Sequence, residues 1–113
     1  MSKITMVVHG GAGPDSEFIK QNAEAYIQGL KEAVNAGYAV LEDGGSAVDA
    51  VEASVNYLED NELFNAGRGS ALNVNAEVEM DASIMDGKTM KSGGVAIVKN
   101  VKNPVTLARA IMD

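Results

Sequence analysis

The first apolar block of the chain, Ile4 to Val8 (ITMVV), is short, rich in β-branched residues and halted by glycine, a pattern that predicts a buried strand. The spacing then becomes helical. Pro14, Asp15 and Ser16 supply helix-start chemistry, and Ile19, Ala23, Tyr26, Ile27, Leu30 and Val34 follow at three- and four-residue intervals, predicting one amphipathic helix to about Leu41. Gly44 and Gly45 suit a left-handed cap, and Ser46 with Asp49 forms a capping-box-like pair that opens the next helix. Val48, Val51, Val55 and Leu58 mark its inner face, with Ala47, Ala50 and Ala53 allowing close packing.

After Asp60 the pattern loses its period, and NELFNAGRGSALNVN has the asparagine and glycine density of an ordered functional loop. From Glu77 it alternates, with Val78, Met80, Ala82 and Ile84 on one face and Glu77, Glu79, Asp81 and Ser83 on the other, a period-two strand. Asp86 to Lys88 (DGK) predicts a hairpin turn into a second, more buried strand, TMKSGGVAIV. Asn103 and Pro104 provide an N-cap and first position for a last helix, VTLARAIMD. That helix reaches Asp113 without a C-terminal glycine or asparagine, so the chain is expected to be the front part of something larger. Strand, two helices, loop, hairpin and helix make an α+β domain.

Composition narrows the function. The 113 residues, 46% hydrophobic and 22% charged, suffice for one domain. A net charge of -7 argues against nucleic acid and anionic membrane surfaces as partners. With no cysteine and one histidine, disulfides, a thiol nucleophile, thiolate sites and imidazole clusters are excluded, so any metal is a hard cation held by oxygens. The apolar run before His9 is too short for a signal-peptide core, and nothing approaches the run of about 18 apolar residues that spans a membrane. A cytoplasmic location is the expectation.

HGGAG, residues His9 to Gly13, leaves little side chain to pack and suggests backbone approaching something closely. Phosphate binding is disfavoured: Gly11 and Gly13 give G-x-G, but Ser16 stands where a third glycine or alanine belongs, a helix follows instead of a second strand, and no P-loop occurs. An esterase-type oxyanion loop would need a G-x-S-x-G elbow, which is missing, and the only histidine lies in the glycine loop itself, so no Ser-His-Asp triad can form. Glu77, Glu79 and Asp81 read better as the solvated face of a strand than as a catalytic pair.

HGGAG, NYLEDNELFNAGRGSALN and EMDASIMDGKTMKSGGVAIV together resemble the N-terminal portion of the plant-type L-asparaginases, or isoaspartyl peptidases, among the N-terminal nucleophile hydrolases. The resemblance covers nearly the whole chain, and LFNAGRGS followed by MDASIMDG is its most specific part. It implies an αββα sandwich, present here only in part over residues 1–113, made as a precursor that cleaves itself to expose an N-terminal threonine. That threonine hydrolyses L-asparagine and β-aspartyl dipeptides, and its α-amino group, with a pKa of about 7.7–8.0, serves as the base that a histidine would otherwise supply. The implied partners are a β-chain segment beginning with threonine and a second copy, giving (αβ)2. By the same resemblance, Gly10 and Gly11 lie in the loop behind the nucleophile, His9 is a neighbouring structural donor or acceptor, and Asn65 helps orient the threonine. The backbone carbonyls of Leu58, Glu59, Asn61, Phe64, Ala66 and Arg68 would form a loop for a structural sodium or potassium ion, with no other cofactor.

The threonines present are Thr5, Thr89 and Thr106, none in the GTVGAV-like context in which that family cleaves itself. The chain alone is therefore expected to be inactive, and its strands to leave an apolar sheet face in need of cover. Two alternatives stay open from sequence: a stand-alone domain holding an amino-acid carboxylate on the glycine loop, and a related hydrolase of the N-acetylglucosamine-asparagine link.

Overall fold

The computed structural model describes residues 3–113, in the order α1 (Glu17–Gln21), α2 (Ala23–Glu42), α3 (Ala47–Asp60), a 3-10 turn (Gly67–Gly69), β1 (Met80–Met85), β2 (Ser92–Val98) and α4 (Pro104–Met112). It is a mixed helix-and-strand chain, as expected of the α+β class. Among the described residues the only named strands are the antiparallel pair β1–β2. No helix among them is long and apolar enough to cross a membrane.

The local start and stop signals act as expected. Ser16 Oγ accepts the Ile19 N–H at 3.2 Å, Gly44 takes φ +85° after α2, and Ser46 and Asp49 form a reciprocal capping box on α3. Ion pairing with Arg109 and the Ser46 hydrogen bonds hold the Asp49 carboxyl below the usual carboxylate range. The expected single first helix is broken at Asn22, whose Nδ2 donates to the Phe18 carbonyl at 2.8 Å and whose backbone leaves helical geometry. An asparagine side chain that competes for main-chain groups in this way interrupts helical continuity.

Ile4 to Val8 is not a strand. The segment alternates half-buried Ile4, Met6 and Val8 with exposed Thr5 and Val7, and Met6 and Val8 reach the helices while its backbone joins no ladder. The buried strand expected here is therefore corrected on both counts: no residue of the run is fully buried, and strand pairing needs a neighbour that no described residue provides. The expected inner face of the helices is also corrected. Ile27 is 53% exposed and Val51 36%, whereas the seam between α2 and α3 is built from Ala33, Gly37, Ala50 and Ser54. A Cβ on Gly37 would lie 2.7 Å from Met6 Cε and 2.8 Å from the Ala50 carbonyl oxygen. Backbones this close need small residues, and the buried Ser54 hydroxyl is satisfied by the Ala33 carbonyl at 2.7 Å.

Two apolar clusters result. Ala33, Leu58 and Phe64 form one, with Val8, Tyr26 and Leu30 against it; Ile84, Val105, Ala108 and Met112 form the other, where α4 lies on the hairpin. Gly93 lets α4 sit directly on β2, since a Cβ there would be 2.7 Å from the Met112 nitrogen. Only this face is covered. β2 is consequently more exposed than predicted, with Gly93 its only fully buried residue, and Pro104 with Val105 carries the burial instead.

Glu59 joins the clusters. It is 2% exposed, and its Oε2 accepts the Val105 N–H at 3.0 Å, capping α4 from another helix. Asn103, the predicted cap, makes no side-chain cap; its Nδ2 donates to Glu59 Oε1 at 3.3 Å and Asp60 Oδ1 at 3.0 Å. A charged acceptor already occupies the first free N–H after proline, so the asparagine supports the acceptor. Arg109 adds a more exposed tie, with Nη1 2.6 Å from both Asp49 Oδ1 and Glu52 Oε2.

Burial raises the Glu59 pKa above the ordinary glutamate value; the Val105 N–H and Asn103 amide oppose the shift, and the Asp60 and Glu52 charges add to it. The native state therefore holds this proton more tightly than the unfolded chain, and the linked stability, full below the unfolded-state pKa, is lost as pH rises through the raised one. Replacing Glu59 by Ala orphans the Val105 N–H and should cost about 1–3 kcal/mol in urea unfolding of the natural protein. The loss should be larger at mildly acidic pH than at neutral pH; a pH-independent loss would contradict the raised pKa.

Candidate functional site

The loop from Asn61 to Ser70 continues directly from α3 and is shaped by its own main chain. Asn61 Oδ1 accepts the Leu63 N–H at 3.0 Å, starting an Asx-type turn that drives Phe64 inward. The Phe64 ring is 4% exposed and meets Tyr26 edge-on, with centroids 5.7 Å apart at 82°. Its slot is cut by two glycines remote from each other in sequence. A Cβ on Gly10 would fall 2.8 Å from Phe64 Cε1 and 2.9 Å from Leu30 Cδ2; one on Gly29 would fall 2.8 Å from Phe64 Cε2. What HGGAG approaches is thus the ring at the base of the loop. Gly11, at φ +130°, and Gly13 face open space, and His9 is exposed beside them.

With Phe64 buried, Asn65 emerges on the surface. Its Oδ1 accepts the Ala71 N–H at 2.8 Å, closing the loop across its mouth. Asn65 lines a cleft of about 380 Å³ together with Glu59, Ser70, Glu79, Asp81 and Ile97. The cleft brings the loop and the hairpin together; Gly10, Gly11 and His9 do not line it, and of the three only Gly10 is packed against Phe64, the residue before Asn65.

The six carbonyls expected to hold a cation all belong to this α3-to-turn segment. Those of Leu58, Asn61, Phe64 and Ala66 accept the N–H groups of Asn61, Phe64, Ala66 and Gly69 at 3.3, 3.2, 2.8 and 3.1 Å. Each oxygen keeps a second lone pair. The coil closes tightly because residues 67 and 69 are glycines: a Cβ on Gly67 would meet the Glu59 carbonyl, and one on Gly69 would lie 2.6 Å from the Glu62 carbonyl oxygen. The Arg68 side chain is exposed and pairs with Glu62 at 3.7 Å. Among the described residues no group of three or more His, Asp or Glu side chains could hold a metal.

The acidic residues in and just before β1 have separate duties. Glu77 and Glu79 both face Lys99, the latter at 3.8 Å, and Asp81 Oδ1 accepts the Ile97 N–H at 2.8 Å, so they do not form a catalytic pair. Sequence reasoning missed the Glu59 side chain, Gly29 and Ile97 as parts of this region. Only the glycine spacing of α2, with Gly29 and Gly37 on the face of Ala33, carried a signal that could have found one of them.

The sequence profile of a family described as asparaginase matches residues 2–113. The chain belongs to the asparaginase family. It is 53% identical over 113 residues to the human isoaspartyl peptidase/L-asparaginase, covering 100% of this chain and 36% of that protein. The zebrafish (Danio rerio) protein of the same name is 54% identical over 108 residues, 96% of this chain and 34% of its own length. The plant-type L-asparaginase of Pyrococcus horikoshii is 47% identical over 110 residues, 97% of this chain and 35% of its own length. This asparaginase-family chain thus spans about a third of the length of the curated relatives it matches.

The slot around Phe64 makes the glycines unequal. Gly10→Ala, forced against the Phe64 ring and Leu30, should lower unfolding stability by about 1–3 kcal/mol. Gly13→Ala should stay within about 0.5 kcal/mol of the parent in the same denaturant titration. Equal effects would mean that Gly10 serves only a turn.

Proposed function

We propose that the natural protein carrying this sequence is a hydrolase of the side-chain amide of L-asparagine and of β-aspartyl dipeptides. The observation that carries the reading is the identity of about half of all positions, along the whole chain, with proteins named isoaspartyl peptidase/L-asparaginase. Residues 1–113 contain supporting elements and no activated nucleophile, so the reaction calls for a further segment that begins with a threonine freed by self-cleavage. That segment would complete an αββα sandwich over the open face of the hairpin, and two such units would associate as (αβ)2 in the cytoplasm.

In the proposed reaction the threonine α-amino group takes the proton of its own hydroxyl, and the oxygen attacks the side-chain carbonyl carbon. Ammonia or the amine of a dipeptide leaves, and water then resolves the β-aspartyl ester. Asn65 supports this role because the buried Phe64 and the Ala71 hydrogen bond fix its backbone and carbonyl oxygen, leaving its amide Nδ2 to orient the threonine. Gly10 would shape the floor behind the nucleophile by setting where Phe64 sits, with Gly11 and His9 beside it. The carbonyls of Leu58, Glu59, Asn61, Phe64, Ala66 and Arg68 would hold sodium or potassium. A monovalent ion would stiffen the loop beneath Asn65 without entering the chemistry.

The natural full-length protein should resolve into two chains by intact-mass spectrometry, the second starting with threonine, and should release ammonia from L-asparagine and aspartate from a β-aspartyl dipeptide. Residues 1–113 expressed alone should do neither. Asn65→Ala in the full-length protein should lower kcat by about ten- to a hundredfold. A full-length protein that stays uncut and leaves both substrates intact would overturn the reading.

A further inference from the structure

The hairpin register is interrupted at one place, and it is the place where the cleft opens. Met80 pairs with Val98 and Ala82 with Val95, so that Asp81 alone stands opposite two residues of β2, Ala96 and Ile97. This is a β-bulge, and bulges of this kind favour glycine where the backbone turns left-handed. Here that position is Ile97, at φ +56°. A β-branched residue in that region is an outlier, held only where its surroundings over-determine it. Three contacts do so. The Ile97 N–H, which the bulge removes from the ladder, donates to Asp81 Oδ1 at 2.8 Å. Two residues on, Lys99 is tied to Glu77 and Glu79, in the segment that leads into β1. Ile97 gains nothing from burial to offset its strain, being 66% exposed.

We infer that Asp81 is a positioning residue: its carboxylate holds Ile97 in the left-handed bulge and so fixes the hairpin wall that faces Asn65. Asp81, Ile97, Glu79 and Asn65 line one cleft, and Ile97 returned to extended geometry would restore a regular ladder and move that wall. Asp81 makes this contribution through its oxygen as an acceptor. Its charge is not required, and its asparagine variant retains the same acceptor. The consequence for catalysis rests on the asparaginase reading proposed above; the tie between Asp81 and Ile97 does not.

The test uses the natural full-length protein, with hydrogen exchange at the Ile97 amide and steady-state kinetics on L-asparagine. Asp81→Ala should speed exchange at Ile97 and lower kcat about tenfold or more, with KM changed less than about threefold, because a displaced wall misorients a site that still binds. Asp81→Asn should stay within about threefold of the parent in kcat. Ile97→Gly, which removes the side-chain cost of the left-handed backbone, should bring the Asp81→Ala protein back to within about threefold of the parent. A merely structural aspartate would not show that rescue. If Asp81→Asn is as damaging as Asp81→Ala, or if Ile97→Gly fails to rescue, the proposal is wrong. If the parent hydrolyses neither asparagine nor β-aspartyl dipeptides, the functional reading fails, and exchange at Ile97, unchanged or accelerated in Asp81→Ala, still decides the tie.

Discussion

A buried carboxylate organises this chain. Glu59 ends α3, begins the loop that carries Asn65 and caps α4, which in turn lies on the hairpin. Moving a carboxylate out of water costs several kcal/mol unless hydrogen bonds replace the lost hydration, and here the Val105 N–H, the Asn103 amide and the start of a helix offset part of that cost, the remainder showing as the raised pKa. The same residue constrains the loop through its backbone, because Gly67 folds against its carbonyl and Cβ. Two apolar clusters that share no buried residue are thereby held in one arrangement.

A second constraint is close approach of main chain. Gly10 and Gly29 cut the slot for Phe64, Gly37 brings α2 onto α3, and Gly93 brings α4 onto β2. In each case the glycine is needed for the space a side chain would take, and the ring or helix that fills the space is what sets the position of a neighbour. Asn65 is surface-exposed yet fixed, because the residue before it is buried in such a slot and its own oxygen is bonded to Ala71. A loop residue anchored in this way has little conformational freedom left to lose.

The acidic residues follow the same logic of division. Glu59 and Asp49 cap helices, Asp86 sets the hairpin turn by accepting from Lys88 and Thr89, and Asp81 holds a bulge. The Lys88 and Thr89 donors keep the Asp86 carboxyl below its usual range. Four of the sixteen acidic residues thus accept main-chain N–H groups, and among the described residues no group of three or more His, Asp or Glu side chains could hold a metal.

Features that depend on near neighbours were legible in the residues alone. Ser16, the Ser46–Asp49 box, Gly44, the Asp86 turn and Pro104 are local hydrogen-bond and backbone rules, and each element they delimit is present. The motifs around Asn65 and Asp81 were enough to identify the family. The remaining features involve partners far apart in the chain: that Ile4–Val8 joins no ladder, that α2 buries its glycines and alanine in place of Ile27, that Glu59 displaces Asn103 as the cap of α4, and that Ile97 turns left-handed opposite Asp81. Periodicity records that a face is covered. It does not record by what, or how closely, and those depend on distances that exist only once the chain has folded.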